Sequence, residues 1–289
     1  MGRWVAIVLV IIGASSYGVL SSFIKMAYGQ GFTDGQITPA QMTMGTLLVW
    51  LVVLCHRRSW VNPLTGPWIK LSLIGIFGLA LTTAFYNMAL EALDASLSII
   101  LLFQFTWMTI AMDCWRQRKL PSRRECIAIL FILLGTLLGV NVWEMNLEQL
   151  SYTGVLFGLL SALTYSGFLF FTGQVQSTLP PLMNSAMMLT AALPVMFIVY
   201  PPTVFFQESG RVLLLWGLLL GFLGQALPTV SFNMGIPRIG STLAAMLGSI
   251  ELPVAIIAAF LIIGEPVNGI QWLGMGFILG GILISENKT

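Results

Sequence analysis

Residues 73–88 read LIGIFGLALTTAFYNM, and residues 219–234 read LLGFLGQALPTVSFNM. At an offset of 146, Leu73, Gly75, Gly78, Ala80, Leu81, Thr83, Asn87 and Met88 each recur as the same residue type, eight identities in sixteen positions. Apolar composition alone rarely brings Gly, Thr and Asn into register together. The echo continues outward. Ala14-Ser15-Ser16-Tyr17 resembles Ala162-Leu163-Thr164-Tyr165 at an offset of 148, while Pro121 aligns with Pro266 and Gly135 with Gly280 at 145. The chain reads as two copies of one unit, residues 1–145 and 146–289, joined near Asn146–Ser151.

The composition around this repeat sets the class. Only 8% of the 289 residues are charged, 13 Lys and Arg against 11 Asp and Glu, and the hydrophobic share is 57%. An ordinary soluble domain is about 25% charged. Mean hydropathy is +0.91. So few charges cannot clothe a soluble surface, which excludes a cytosolic enzyme and a disordered chain. A net charge of +2 gives no long-range attraction for nucleic acid. Cys55, Cys114 and Cys126 are too scattered for a disulfide scaffold or a zinc site. A polytopic all-α membrane protein remains, with the lipid bilayer as its surroundings.

A crossing helix needs about 20 mainly apolar residues. The apolar runs predict ten: Trp4–Tyr28, Thr38–Cys55, Trp68–Leu90, Ala95–Trp115, Arg124–Val142, Thr153–Thr172, Pro181–Tyr200, Val212–Gly235, Gly240–Ile263 and Gly269–Ile284. They are separated by turn signals such as Asn62-Pro63, Pro201-Pro202, Pro237 and Gly264-Glu265-Pro266. Runs of this length without alternation exclude a β-barrel. With the N-terminus in the cytoplasm, Arg3, Arg57, Arg58, Lys70, Arg116, Arg118, Lys119, Arg123, Arg124, Arg238 and Lys288 all fall inside, 11 of the 13 basic residues. This sorting predicts an even number of spans with both termini cytoplasmic. Trp4, Trp60, Trp68 and Trp115 then lie near the inner interface, and Trp143, Trp216 and Trp272 near the outer one. The first span has some features of a signal peptide, with Arg3 ahead of it and Gly13-Ala14-Ser15-Ser16 as a cleavage site. The repeat argues against that reading.

Five helices per copy is an odd number. The two copies must therefore enter the membrane from opposite sides, the inverted repeat of secondary transporters, which places a substrate site near the midplane between them. The arrangement resembles the drug/metabolite transporter superfamily, in particular its EamA-type ten-helix members. The resemblance runs through essentially the whole chain and is carried best by Gly240-Ser241, then Ser249-Ile250-Glu251-Leu252-Pro253-Val254, Gly264-Glu265-Pro266, Gln271-Trp272-Leu273-Gly274 and Gly280-Gly281. The first copy departs from that pattern, with Lys119-Leu120 where the second has Gly264-Glu265. The resemblance implies transport of a small metabolite or drug, commonly export, with the first, third, fourth, sixth, eighth and ninth helices lining the cavity. It implies no single substrate.

Polar and aromatic residues about 10 to 13 positions into a span lie near the midplane of a ~30 Å hydrocarbon core. Tyr17, Gln104, Trp107, Tyr165, Gln225 and Glu251 meet that test and are the candidate substrate-binding residues. Glu251 stands out, because a carboxylate at this depth must be neutralised, paired or open to water. It is read as a proton-coupling group or a counter-charge for a cation. The plainer alternative is a neutral Glu bonded to helix backbone loosened by Pro253, which frees the carbonyl of Ser249. Its mate at an offset of 145 is Thr106. Tyr17 and Tyr165 are repeat mates fit either for a cavity wall or for interhelical packing. Gln104 and Trp107 share a helix face at three-residue spacing. Gln225 lies three residues before Pro228. Amides suit a neutral or zwitterionic solute and serve equally as interhelical bonds. Asn87 and Asn233, mates at opposite mouths, are read as gate fasteners or helix-end caps. Gly135-x-x-x-Gly139 and Gly276-x-x-x-Gly280 are packing faces, within a monomer or in a homodimer. Lys25 lines the outer mouth or snorkels to the interface. The basic run from Arg116 to Arg124 sets topology, with lipid headgroups as a second role.

A membrane-embedded enzyme needs a nucleophile, a metal cluster or paired acids. The single His is His56, and neither His-Glu-x-x-His nor Gly-x-Ser-x-Gly occurs. The expectation is a secondary transporter of the prokaryotic cytoplasmic membrane, with no cofactor and no enzymatic activity. It moves an amino acid or similar amphipathic solute outward by alternating access. The alternative is proton-coupled or facilitated import of an organic cation. No Walker motif is present, so a gradient, with protons as one candidate, supplies the driving force.

Overall fold

The structure is a computed structural model describing residues 2–56, 59–93, 95–141, 151–201 and 210–286. Trp143, Glu144, Asp94, Arg57, Arg58, Lys288 and the join at 146–150 lie outside the described residues. Among the described residues every element is helical. The long rods are α1 Arg3–Gly29, α2 Asp34–Cys55, α3 Trp68–Ala92, α4 Ala95–Gln117, α5 Arg123–Gly139, α6 Tyr152–Gln174, α7 Pro181–Val199, α8 Val212–Ile239, α9 Ser241–Ile263 and α10 Gly269–Glu286. Eight of these are long and apolar enough to cross a bilayer; α10 is apolar but shorter. The 17-residue α5 opens on Arg123, Arg124 and Glu125.

Two expected boundaries move. The second helix begins at Asp34 rather than Thr38, because the Gln36 side chain accepts the Thr33 N–H at 3.1 Å and caps the first turn. That brings Asp34 onto the helix. The eighth runs through Pro237 to Ile239 instead of stopping at Gly235. A proline this close to a helix end removes few backbone bonds. At the other corners the expected signals act. Ser122 and Glu125 bond reciprocally at the start of α5, with Ser122 N–H donating to Glu125 Oε2 at 2.7 Å. Gly264 (φ 76°) closes α9 and Gly240 (φ 85°) separates it from α8, both in backbone that a Cβ would strain.

The same irregularities occur in both copies at the offset of 146. A π-helical stretch covers Gly75–Ala80 in α3, and its counterpart covers Phe222–Ala226 in α8. Helix α4 breaks at Phe103-Gln104 and resumes at Phe105; α9 breaks at Ser249-Ile250 and resumes at Glu251. Across both breaks, contacts three residues apart replace the usual four, as in Gln104 N–H to Leu101 O at 3.2 Å and Ile250 N–H to Leu247 O at 3.1 Å. The breaks pair Phe105, not Thr106, with Glu251. The Ser249 carbonyl finds its partner at the break itself, accepting from Leu252 N–H at 3.4 Å.

Small residues let the rods approach. A Cβ on Gly75 would lie 2.0 Å from the Met188 carbonyl oxygen, which joins α3 to α7, and one on Gly45 would lie 2.4 Å from Gln225 Cβ, which joins α2 to α8. Helices α5 and α10 pair closely. Gly135 and Gly139 lie in that seam as expected, but their partner is Gly274, whose added Cβ would sit 2.4 Å from Gly139 N. Gly276 has nothing within 4 Å and Gly280 meets only Phe131 at 3.6 Å, so Gly276-x-x-x-Gly280 is not the face that closes this seam within the chain. A helix turns 100° per residue, and Gly274 and Gly281, seven apart, share a face that Gly276 does not. In the interior α1 packs on α8 and α9, and α6 packs on α3 and α4. Phe103, Phe105, Phe168 and Phe232 are fully buried there. Buried Thr46, Thr109 and Thr136 return their hydroxyls to the carbonyl four residues back, which satisfies them inside an apolar bundle.

Candidate functional site

Helices α1 and α6 bring the mates Tyr17 and Tyr165 together, ring centroids 6.5 Å apart and planes at 81°. Around them Tyr17 meets Phe232 at 6.1 Å, Tyr165 meets Phe105 edge-on at 4.7 Å, and Tyr165 stacks on Phe168 at 6.2 Å. The break in α9 starts a new helical piece at Glu251 beside this cluster, and Gly18 lets α1 close on it, since a Cβ there would lie 2.5 Å from the Glu251 carbonyl. The Glu251 carboxylate is within electrostatic reach of three tyrosine hydroxyls, Tyr17, Tyr86 and Tyr165. It accepts no hydrogen bond and forms no ion pair among the described residues, so the bond to neighbouring backbone expected of a purely structural Glu is not made. The Tyr165 hydroxyl is buried with no partner either. Buried polar groups almost always have partners. Here an acid and a phenol converge without one, and their aromatic walls suit a cationic group.

Three of the six candidates, Tyr17, Tyr165 and Glu251, thus share one centre. Gln225 is buried in the π-helical stretch of α8, against Gly45 of α2, with Oε1 unpartnered. Gln104 and Trp107 do meet each other, Trp107 Nε1–H donating to Gln104 Oε1 at 2.8 Å. The Gln104 amide also returns to Ile100 O at 2.9 Å, and Trp107 is 41% exposed on the flank of α4. No hydrogen bond or ring contact joins this pair to the tyrosine centre among the described residues.

Asn87 and Asn233 do not cap helices, since α3 continues to Ala92 and α8 to Ile239. Each fastens a neighbour. Asn233 Nδ2 donates to Ser185 Oγ at 3.1 Å, and Asn87 Nδ2 donates to Thr38 Oγ1 at 3.2 Å. Thr38 and Ser185 correspond within one residue at the repeat offset. The Asn87 end carries an addition that sequence reasoning missed. Its amide also reaches Asp34 Oδ1 and Oδ2 at 3.2 and 3.0 Å, Thr38 Oγ1–H donates to Asp34 Oδ1 at 2.7 Å, and Tyr28 Oη–H approaches it at 3.4 Å. Tyr200, at the end of α7, also faces Asp34 and Asn87. One carboxylate therefore gathers α1, α2, α3 and α7 at the end of the bundle opposite Arg3. The corresponding position in the second copy is Pro181. Asp34 was hidden because it precedes the apolar run. Tyr86 was hidden because its mate is the apolar Phe232.

Two charged residues singled out from the sequence pair at that same end. Lys25 Nζ donates to Glu265 Oε1 at 2.8 Å, with the side chains 56% and 45% exposed, tying α1 to the corner after α9. At the other end Thr242 Oγ1–H donates to the buried Asp113 at 2.7 Å, tying α9 to α4.

Known proteins place this geometry. A solved crystal structure superposes over 100% of both chains with a TM-score of 0.78 at 13% identity, which shows the shared fold. The uncharacterized transporter YcbK of Bacillus subtilis is 25% identical over 295 residues, covering 98% of this chain and 94% of the relative. An uncharacterized transporter of Archaeoglobus fulgidus is 26% identical over 210 residues, covering 71% of this chain and 72% of its own. The model of the EamA-like transporter family matches twice, over residues 4–140 and 152–286. The chain is an integral membrane protein that belongs to the EamA-like transporter family.

Proposed function

We propose that this protein is a secondary transporter that moves an amino acid or similar amphipathic solute outward across a prokaryotic cytoplasmic membrane. Residues 1–145 and 146–289 act as inverted five-helix copies, ten helices cross, and both termini are cytoplasmic. The carrying observation is the unpartnered Glu251 carboxylate at the α9 break, within electrostatic reach of Tyr17, Tyr86 and Tyr165. An ammonium group entering this centre meets a counter-charge and aromatic faces, and Tyr165 offers a free hydroxyl to a carboxylate or carbonyl. The two interrupted helices sit where alternating-access proteins build their sites. Exchange of the two ends proceeds by alternately releasing the Asp34–Asn87 and Ser185–Asn233 fasteners. The same unpaired acid supports a second reading, proton-coupled or facilitated import of an organic cation.

Proteoliposomes with an imposed pH gradient test this. Amino acids and organic cations are screened first by thermal shift, and hits are then followed as flux. Glu251→Gln is expected to keep normal expression and lose flux or its pH dependence. Unchanged flux with unchanged pH dependence would remove Glu251 from the mechanism. Flux that ignores every gradient would make the protein a uniporter.

A further inference from the structure

On the flank away from the tyrosine centre, a groove of about 1050 Å³ runs between α4, α5 and α6. Its floor is apolar, with Trp107 and Ala111 from α4, Ile129 from α5 and Phe170 and Phe171 from α6. At one end it opens among Arg116, Arg118 and Lys119. Arg118 adopts left-handed backbone (φ 53°) and ends α4, so Lys119 and Leu120 turn across the groove mouth. Arg116 donates to the Gln174 side chain at the far end of α6, which holds the basic end against both helices. Trp115 and Leu120 flank the mouth, 85% and 93% exposed.

The dimensions and charges select the occupant. From Trp107 to Gln117 the helix rises about 15 Å, the depth of one leaflet of a ~30 Å hydrocarbon core. The groove thus offers apolar and aromatic wall through one leaflet and cations where phosphates lie. The corresponding corner of the second copy, Gly264-Glu265-Pro266, carries an acid already paired with Lys25 and offers no such mouth.

We propose that this groove seats one anionic phospholipid, with an acyl chain along Trp107, Ala111 and Phe171 and the phosphate at Arg118 and Lys119. A zwitterionic lipid fills the same trough but gains little from the bases. Two basic residues at a membrane surface give a preference of about ten- to thirtyfold. The site is independent of the transport reading.

Native mass spectrometry of the delipidated full-length protein tests it, titrating phosphatidylglycerol, phosphatidylcholine with the same chains, and glycerol phosphate. Phosphatidylglycerol is expected to be retained at least tenfold better than phosphatidylcholine. R118Q with K119Q brings it down to the phosphatidylcholine level, and R118K restores the preference. A111W, which fills the trough and leaves the bases, lowers retention of both lipids. Equal retention of the two lipids by the unmodified protein overturns the proposal, as does an undiminished preference in the double variant or retention unaffected by A111W. Displacement of phosphatidylglycerol by equimolar glycerol phosphate would assign the bases to a surface anion site and overturn it too.

Discussion

Tyr165→Phe separates a residue kept for function from one kept for packing. Tyr165 is 5% exposed and its hydroxyl has no partner, while its ring makes the contacts to Tyr17, Phe105 and Phe168. The substitution deletes only the oxygen. A buried hydroxyl without a partner costs about 1–3 kcal/mol. Tyr165→Phe should therefore stabilise the resting protein by about that amount, a rise of a few degrees in thermal midpoint. Scans at one matched rate in one detergent read the difference, since membrane proteins seldom unfold reversibly. Flux should move the other way. One lost hydroxyl contact to the solute is worth about 0.5–1.5 kcal/mol, or roughly two- to tenfold in transport efficiency. Tyr17→Phe is the control, because the Tyr17 side chain is only half-buried and removal of its hydroxyl should change stability by less than about 1 kcal/mol. A Tyr165→Phe protein that unfolds at lower temperature would refute the reasoning, because the hydroxyl would then be bonded in the resting protein. Unchanged flux would refute its contact with solute.

Asp34→Asn keeps the shape of the cluster and removes its charge. Hydrogen bonds to a charged group contribute about 1.5–3 kcal/mol each, so loss of even one such increment shifts the closed-to-open ratio of that mouth about tenfold or more. Pulsed spin-label distances between Gly35 and Glu91 should broaden towards longer values. In the α5–α10 seam, Gly274→Ala drives a Cβ to 2.4 Å from Gly139 N and should abolish accumulation of folded protein. Gly276→Ala meets nothing within 4 Å and should be neutral or stabilising by up to about 1 kcal/mol in the same expression and melting assays.

Much of the architecture is legible in the sequence. Periodic hydrophobicity and length determine a membrane helix almost alone, because the bilayer leaves backbone polar groups no partner outside the helix. The repeat located Asn87 and Asn233 as matched positions at an offset of 146 and Tyr17 and Tyr165 at 148, and depth counting located Glu251. Spacing also paired Gln104 with Trp107, since contacts three residues apart are local to one helix.

Contacts between helices were not legible. Whether Gly274 or Gly276 enters the α5–α10 seam depends on the rotation of two rods about their axes, which a pattern of small residues does not specify. Asp34 became a hub only because the ends of α1, α2, α3 and α7 converge, bringing Thr38, Asn87, Tyr28 and Tyr200 to one carboxylate from four places in the chain. Sequence alone determined a helical membrane protein with a doubled pattern and one deep acid, because solvation by the bilayer acts on each segment separately. The tertiary structure decided that the acid stands unpaired within reach of three tyrosines while Gln104 turns back to its own helix and to the exposed Trp107, because helix rotation and mid-span breaks set which side chains meet.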